Sequence, residues 1–311
     1  MISREYILAR KFQLQYYRDV PLFYRTNGEK YVLYKRSGET LSEMRIEREA
    51  HPAHLFIHRR DKIRGIQETQ QAFNTQLQSQ IATGESAKVR ETISHIVGET
   101  LSEPRSGSLE GLSATVRILV QDYTRDSQIL KNLLDVSASD YTTVIHSINV
   151  MALVLAYANT VDFTPAQKRV LAISALLHDV GKTRIDPAIL KAERQLTDDE
   201  FKSMQRHTIL GHDILERCRF AESDIKKVAL QHHEKMDGRG YPHGLRNIST
   251  PAQIIGLIDC YEALTNDDRP YRNAMEPLKA LELLRDDVMA GKFSKAKFAI
   301  FANSLVGMYQ P

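Results

Sequence analysis

The residues of this chain best equipped to do chemistry are His146, His178, Asp179, His207, His232, His233 and Asp259, set in groups 25 to 32 positions apart. One helix with its connection occupies about that length, so successive helices of a bundle can each present a ligand to one centre. Imidazole nitrogens and carboxylate oxygens suit divalent transition metals, and Asp179 has two oxygens with which to bridge a pair of ions. A water shared by two such ions loses a proton near neutral pH and becomes a nucleophile. The ions outweigh two aspartates and that hydroxide, which leaves a positive centre suited to an anionic phosphodiester. Lys182 follows His178 by one helical turn and would neutralise charge developing on a phosphate oxygen, either from the same helical face or, if Gly181 ends the helix, from a turn.

The remaining histidines are weaker candidates. His212 lies five residues after His207 and is rotated about 140° around a helix from it. His243 follows the turn-forming Asp237-Gly238-Arg239-Gly240-Tyr241-Pro242 and reads as a loop residue, and that segment itself divides evenly between a structural turn and a site loop. His51, His54 and His58 have neither carboxylates nor thiols nearby, so solvated surface is the better reading than a second metal site. Arg59, Arg60, Lys62 and Arg64 read as an exposed charged face.

The elements that must position these groups are mainly helical. Residues 1–84 read as a small α/β module: aromatic and β-branched runs flank Asn27-Gly28, a hairpin-turn dipeptide, Ala53–His58 offers a third strand, and a Gln-rich helix follows. Residues 85–136 read as linking helices, with apolar positions such as Ile93, Val97, Leu101, Val116 and Leu119 that pack within the chain or across a homodimer. Residues 137–311 read as a helical domain, with helices expected over 140–160, 165–180, 197–219, 222–235, 250–265, 276–290 and 293–309. Val170 to Leu177 is apolar on every side, so the helix that carries His178 and Asp179 is expected at the centre.

Composition removes several alternatives. The 311 residues carry 42 Lys and Arg against 39 Asp and Glu, and a net charge of +3 is too small to advertise a nucleic-acid polymer as partner. Cys218 and Cys260 offer no thiolate site and fit a reducing compartment. The charged start, with no apolar run of about 20 residues elsewhere, predicts neither secretion nor a membrane anchor, and a cytoplasmic location is expected.

His178-Asp179-Val180-Gly181-Lys182 and Asp237-Gly238-Arg239-Gly240-Tyr241-Pro242 resemble the two signature motifs of the HD-GYP family, bacterial metal-dependent phosphodiesterases that open cyclic di-GMP. His146, His207 and Asp259 match that family's leading histidine, mid-domain histidine and late aspartate, so the resemblance covers roughly residues 135–305. It implies an HD-type helical bundle holding two metal ions, iron or manganese, on His146, His178, Asp179, His207, His232, His233 and Asp259. It further implies Asp179 and Lys182 as catalytic groups, with Lys182, Arg269, Arg272 and Tyr241 against the substrate. It also suggests diguanylate cyclases as partners of the Gly240-Tyr241-Pro242 loop. Some family members hold a third ion with a glutamate where this chain has Thr142, a poor replacement that disfavours a third metal here. The segment Thr265–Arg269 is one residue longer than the family's common form. Glu262-Ala263-Leu264 spells the name of another cyclic di-GMP phosphodiesterase family, but nothing else has that family's layout.

The expected reaction is hydrolysis of cyclic di-GMP to pGpG, with GMP as the alternative end product. Two rivals stand beside it: a receptor that binds cyclic di-GMP without turnover, and a phosphohydrolase of another cyclic dinucleotide or nucleotide.

Overall fold

The structure is a computed structural model and describes residues 5–9, 11–26, 30–41, 52–102, 108–120, 143–192, 194–218, 221–266 and 275–309. The hairpin tip at Asn27-Gly28, His51, Thr142, Arg269 and Arg272 lie outside the described residues.

Four short strands, β1 (Tyr6–Leu8), β2 (Leu22–Arg25), β3 (Tyr31–Lys35) and β4 (Leu55–His58), form one antiparallel sheet in the order β1-β4-β2-β3. The aromatic and β-branched runs thus pair as strands, with Phe23 opposite Leu33 and opposite Phe56. One face buries Leu22, Leu55 and Ile57 against Leu14, Tyr17 and Val20 as a small core of its own. β1 is an addition to the sequence reading, being too short to show an alternating pattern. The Nδ1 of His58 accepts from the Arg60 amide and caps a turn.

Helix α1 (Lys62–Ala82) joins this module to the rest. Near its start Glu68 accepts from the amides of Arg18 and Asp19 at 2.9 and 3.0 Å, while Phe73 and Leu77 further along enter a larger core. That core is shared with α2 (Ser86–Ser102) and α3 (Ser108–Ile118), through Ile93, Val97, Leu112 and Val116.

Two helices form its centre. In α4 (Thr143–Asn159) every residue from His146 to Ala158 is buried. α5 (Pro165–Leu177) starts at a capping box between Thr164 and Gln167, and it is buried from Leu171 to its end, as its all-round apolar sequence predicts. The chain then passes through a 3-10 turn at Val180–Arg184 and a helical turn, α6 (Pro187–Leu190). It continues through α7 (Asp198–Gln205), α8 (His207–Glu216), α9 (Ser223–Gln231), α10 (Thr250–Thr265), α11 (Pro277–Met289) and α12 (Lys295–Tyr309). No helix among the described residues is long and apolar enough to cross a membrane.

Two expected helices differ in detail. The segment 197–219 is broken at Arg206, so His207 opens a helix of its own. The segment 222–235 ends at Gln231, which places His232 at the C-cap and His233 just beyond it, and the adjacent histidines sit at a helix end instead of along one helix.

Candidate metal centre

The ends of α5, α8 and α9 and the sides of α4 and α10 converge on one buried cluster. Asp179, His207, His232 and His233 form one group, and His146, His178 and Asp179 form another; within each, the ligand atoms all lie within 4.8 Å of one another. Asp179 is the member the two groups share.

The tautomers are set from behind. Nδ1 of His178 donates to the Ala175 carbonyl at 2.7 Å, Nδ1 of His207 to Met204 at 2.6 Å, and Nδ1 of His232 to Val228 and Ala229 at 3.0 and 3.1 Å. A carbonyl can only accept, so each proton sits on Nδ1 and each Nε2 lone pair faces inward. Nδ1 of His146 meets Glu262 Oε2 at 2.6 Å, so Nδ1 carries a proton there too and Nε2 is turned inward.

The inward nitrogens fall into two pairs, His146 with His178 at 3.2 Å and His207 with His232 at 3.3 Å. His207 and His232, neutral and protonated on Nδ1, face each other with two lone pairs, which repel that close unless a cation lies between them. Ligands bound at about 2.1 Å to one ion sit roughly 3.0 to 3.4 Å apart when adjacent in its coordination sphere. Asp179 divides itself between the pairs: Oδ2 is 3.4 Å from His178 and 3.6 Å from His146, and Oδ1 is 3.3 Å from His207 and 3.8 Å from His232. Oδ1 is also fully buried with no hydrogen-bond partner among the described residues, a costly state for a carboxylate oxygen that a metal ion relieves. The donor set therefore fits divalent metal, with Asp179 as the carboxylate shared by both groups. Asp259 stands at the rim of the cluster, with Oδ1 3.0 Å from His146 Nε2 and Oδ2 3.9 Å from His233 Nδ1.

Electrostatics agree with ligation. Burial lowers the pKa of His207, brings His232 down to about 3 and holds His233 well below the usual imidazole value, so all three are neutral at pH 7. Burial pushes Asp179 up, but Lys182 and the imidazoles outweigh it and hold the carboxyl well below its usual range. Asp259 is held low in the same way by His146. For His146 burial acts downward, but Glu262 and Asp259 prevail and raise it to about 10.

Lys182 sits on the 3-10 turn, where its ammonium donates to Asp179 Oδ2 at 2.5 Å. The turn reading of Gly181 therefore describes it, and the same-face alternative does not. A Cβ on Gly181 would stand 1.9 Å from the His207 carbonyl oxygen, and one on Gly256 would stand 2.2 Å from that of His232, so both glycines let a backbone approach that a side chain would forbid.

The Asp237–Pro242 segment folds over this cluster. Glu234, buried, accepts from the amides of His243 and Leu245 at 2.7 and 2.8 Å and anchors the loop. Tyr241 packs its ring 4.6 Å from His233, with exposed Phe201 of α7 edge-on at 6.4 Å. Burial, with Asp259 and Asp179 nearby, raises the Tyr241 phenol, which keeps its proton. His212 stands outside the cluster beside Asp213 and Glu216, and His243 lies in the loop.

Sequence reasoning missed Glu262, Asn149, Asn266 and Phe201. Glu262 follows Asp259, and Asn149 follows His146, each by three residues on a buried helix, which puts each beside its ligand. That spacing was the available signal for the first two.

The HD domain family matches residues 115–294. A cyclic di-GMP phosphodiesterase of Pseudomonas aeruginosa is 34% identical over 187 residues, covering 60% of this chain and 44% of that protein. A 3′3′-cGAMP-specific phosphodiesterase of Vibrio cholerae serotype O1 is 29% identical over 193 residues, covering 61% of this chain and 44% of that protein. This chain thus spans less than half the length of these curated relatives. In structure it is similar to an HDG"Y"P protein from Bdellovibrio bacteriovorus, with a TM-score of 0.64 at 18% identity over 97% of this chain and 100% of that one, a likeness of fold. With the match extending over more than half its length, the chain belongs to the HD-domain family, and His178-Asp179 and Gly240-Tyr241-Pro242 are the segments by which it resembles the HD-GYP branch.

Proposed function

We propose that this chain is a metal-dependent phosphodiesterase that hydrolyses cyclic di-GMP to pGpG and onward to GMP. The observation that carries the reading is the division of the Asp179 carboxylate between two imidazole pairs, with Lys182 on one of its oxygens. His146 and His178 would hold one ion and His207 and His232 the other, with His233 and Asp259 completing the set; iron or manganese is the proposed metal. When bound, such a pair supplies Lewis acidity and makes hydroxide available at neutral pH. The chain's own residues do the rest. Lys182 places a positive charge beside Asp179, where phosphate oxygens gain charge. Tyr241, protonated and packed on His233, offers a ring face to a purine at the mouth of the site. Each phosphodiester opened consumes one water: the P–O3′ bond breaks, the 3′ oxygen takes a proton and a 5′-phosphate remains, so the step to pGpG takes one water and the step onward to GMP a second.

A second reading is hydrolysis of 3′3′-cGAMP, favoured by the Vibrio cholerae relative named for that specificity. Incubating manganese-loaded protein separately with cyclic di-GMP and 3′3′-cGAMP, and resolving products by chromatography, tests both. The proposal expects pGpG from the first substrate at the higher kcat/KM. Preference for 3′3′-cGAMP would transfer the assignment, and binding of cyclic di-GMP with no product would leave a receptor.

A further inference from the structure

Three of the four inward-facing imidazoles take their tautomer from backbone carbonyls three or four residues earlier in the chain, whereas His146 takes it from Glu262, 116 residues away. The polarity of the chain behind Glu262 can be read from its far end. Arg90 lies on α2, only 4% exposed, and a guanidinium carries donors alone. Its Nη2 stands 3.3 Å from Asn149 Oδ1, which turns the Asn149 amide so that Nδ2 donates to Glu262 Oε1 at 2.9 Å. Asn266 Nδ2 donates to the same oxygen at 2.7 Å. With Oε1 engaged twice, Oε2 receives His146 Nδ1, and since a carboxylate only accepts, Nδ1 keeps its proton and Nε2 is the nitrogen left to ligate.

We propose that Arg90 is a positioning residue for the metal centre, fixing the ligating tautomer of His146 through Asn149 and Glu262. Burying a guanidinium is costly unless its donors find acceptors, and Asn149 Oδ1 is one of them. Arg90 also precedes the segment matched by the HD domain family, residues 115–294. Its helix packs on α1, which leaves the sheet module, so the relay gives that module a physical path to one metal ligand.

The inference rests on the two-metal reading, and a cobalt(II) titration of the full chain separates the two. Visible absorption would follow ligand-field geometry, and equilibrium dialysis would give stoichiometry and affinity. Wild type is expected to bind two ions. Arg90→Met should weaken one of them about 10- to 100-fold, the usual effect of losing a group that orients a metal ligand, while Arg90→Lys, which keeps a donor, should recover most of that loss. Glu262→Gln should be more severe at the same site. Asn149 and Asn266 both donate to its Oε1 position and hold the new carbonyl there, so the amide NH2 faces Nδ1 and forces the proton onto Nε2. Should Arg90→Met fail to fold, Asn149→Ser interrupts the relay one link later with the same expectation. Folded Arg90→Met protein binding both ions with wild-type affinity and spectrum would overturn the relay alone, as would Arg90→Lys no better than Arg90→Met. Wild type binding no cobalt would overturn the metal reading itself.

Discussion

Asp179 is the residue on which both proposed ion sites depend, because each of its oxygens faces a different imidazole pair. Asp179→Asn keeps the size but replaces one oxygen by a donor that cannot ligate, so metal content should fall below two and cyclic di-GMP turnover by at least about a hundredfold. Metal analysis beside a product assay checks this, and a variant with two ions and near-native turnover would refute the bridge. His146 sets a pH dependence of definite sign. Its pKa, raised to about 10, means the metal-free imidazole stays protonated through neutral pH, and any stability this lends the metal-free fold is present below about 6.5 and lost as pH rises through about 10. An entering ion must displace the Nε2 proton, so affinity moves the opposite way and rises with pH up to about 10. Adding manganese at pH 7 to weakly buffered protein should release close to one proton per chain from this site. His207, His232 and His233 should add none, being neutral already. A flat affinity between pH 6 and 9 would contradict this.

The elements were largely legible in the sequence, because apolar periodicity and punctuation report local structure. Ser86–Ser102 and Thr250–Thr265 fall where the pattern placed them, and Thr164 with Pro165 announces the start of α5. Of the ligand set, the His178-Asp179 pair and the spacing of the other imidazoles could be read along the chain. The break at Arg206 could not, since it accompanies a tertiary contact: Gly181 lies directly against the His207 carbonyl. Arg90 was equally hidden, because it meets Asn149 from a separate helix, whereas Asn149 and Glu262 were signalled only by their three-residue spacing from His146 and Asp259. Gly256 belongs to this class too. Gly256→Ala would drive a methyl group into the His232 carbonyl, so α10 must shift and carry Asp259 and Glu262 with it. A loss of about 1–3 kcal/mol in urea unfolding, with weaker metal binding, is expected. Unchanged stability and affinity would show that the contact is not tight.

At the scale of the whole molecule, two cores meet along α1: a small one under the sheet, and a large one that encloses the proposed metal ligands. The charged and polar groups of the cluster are buried within the large core, so metal-free protein carries their desolvation cost without full compensation. Metal addition should therefore stabilise this core selectively, by about 2.7 kcal/mol per site at a hundredfold excess over Kd, and chelation should reverse it. Scanning calorimetry with and without manganese reads the effect, and a melting profile indifferent to metal would deny that the ions bind the folded cluster.

The most direct measurement is a crystal of the manganese-loaded protein with an anomalous difference map calculated at the metal edge. Two peaks are predicted on opposite sides of the Asp179 carboxylate, one against His146 and His178 and the other against His207 and His232. One peak, or none within reach of Asp179, would contradict the account.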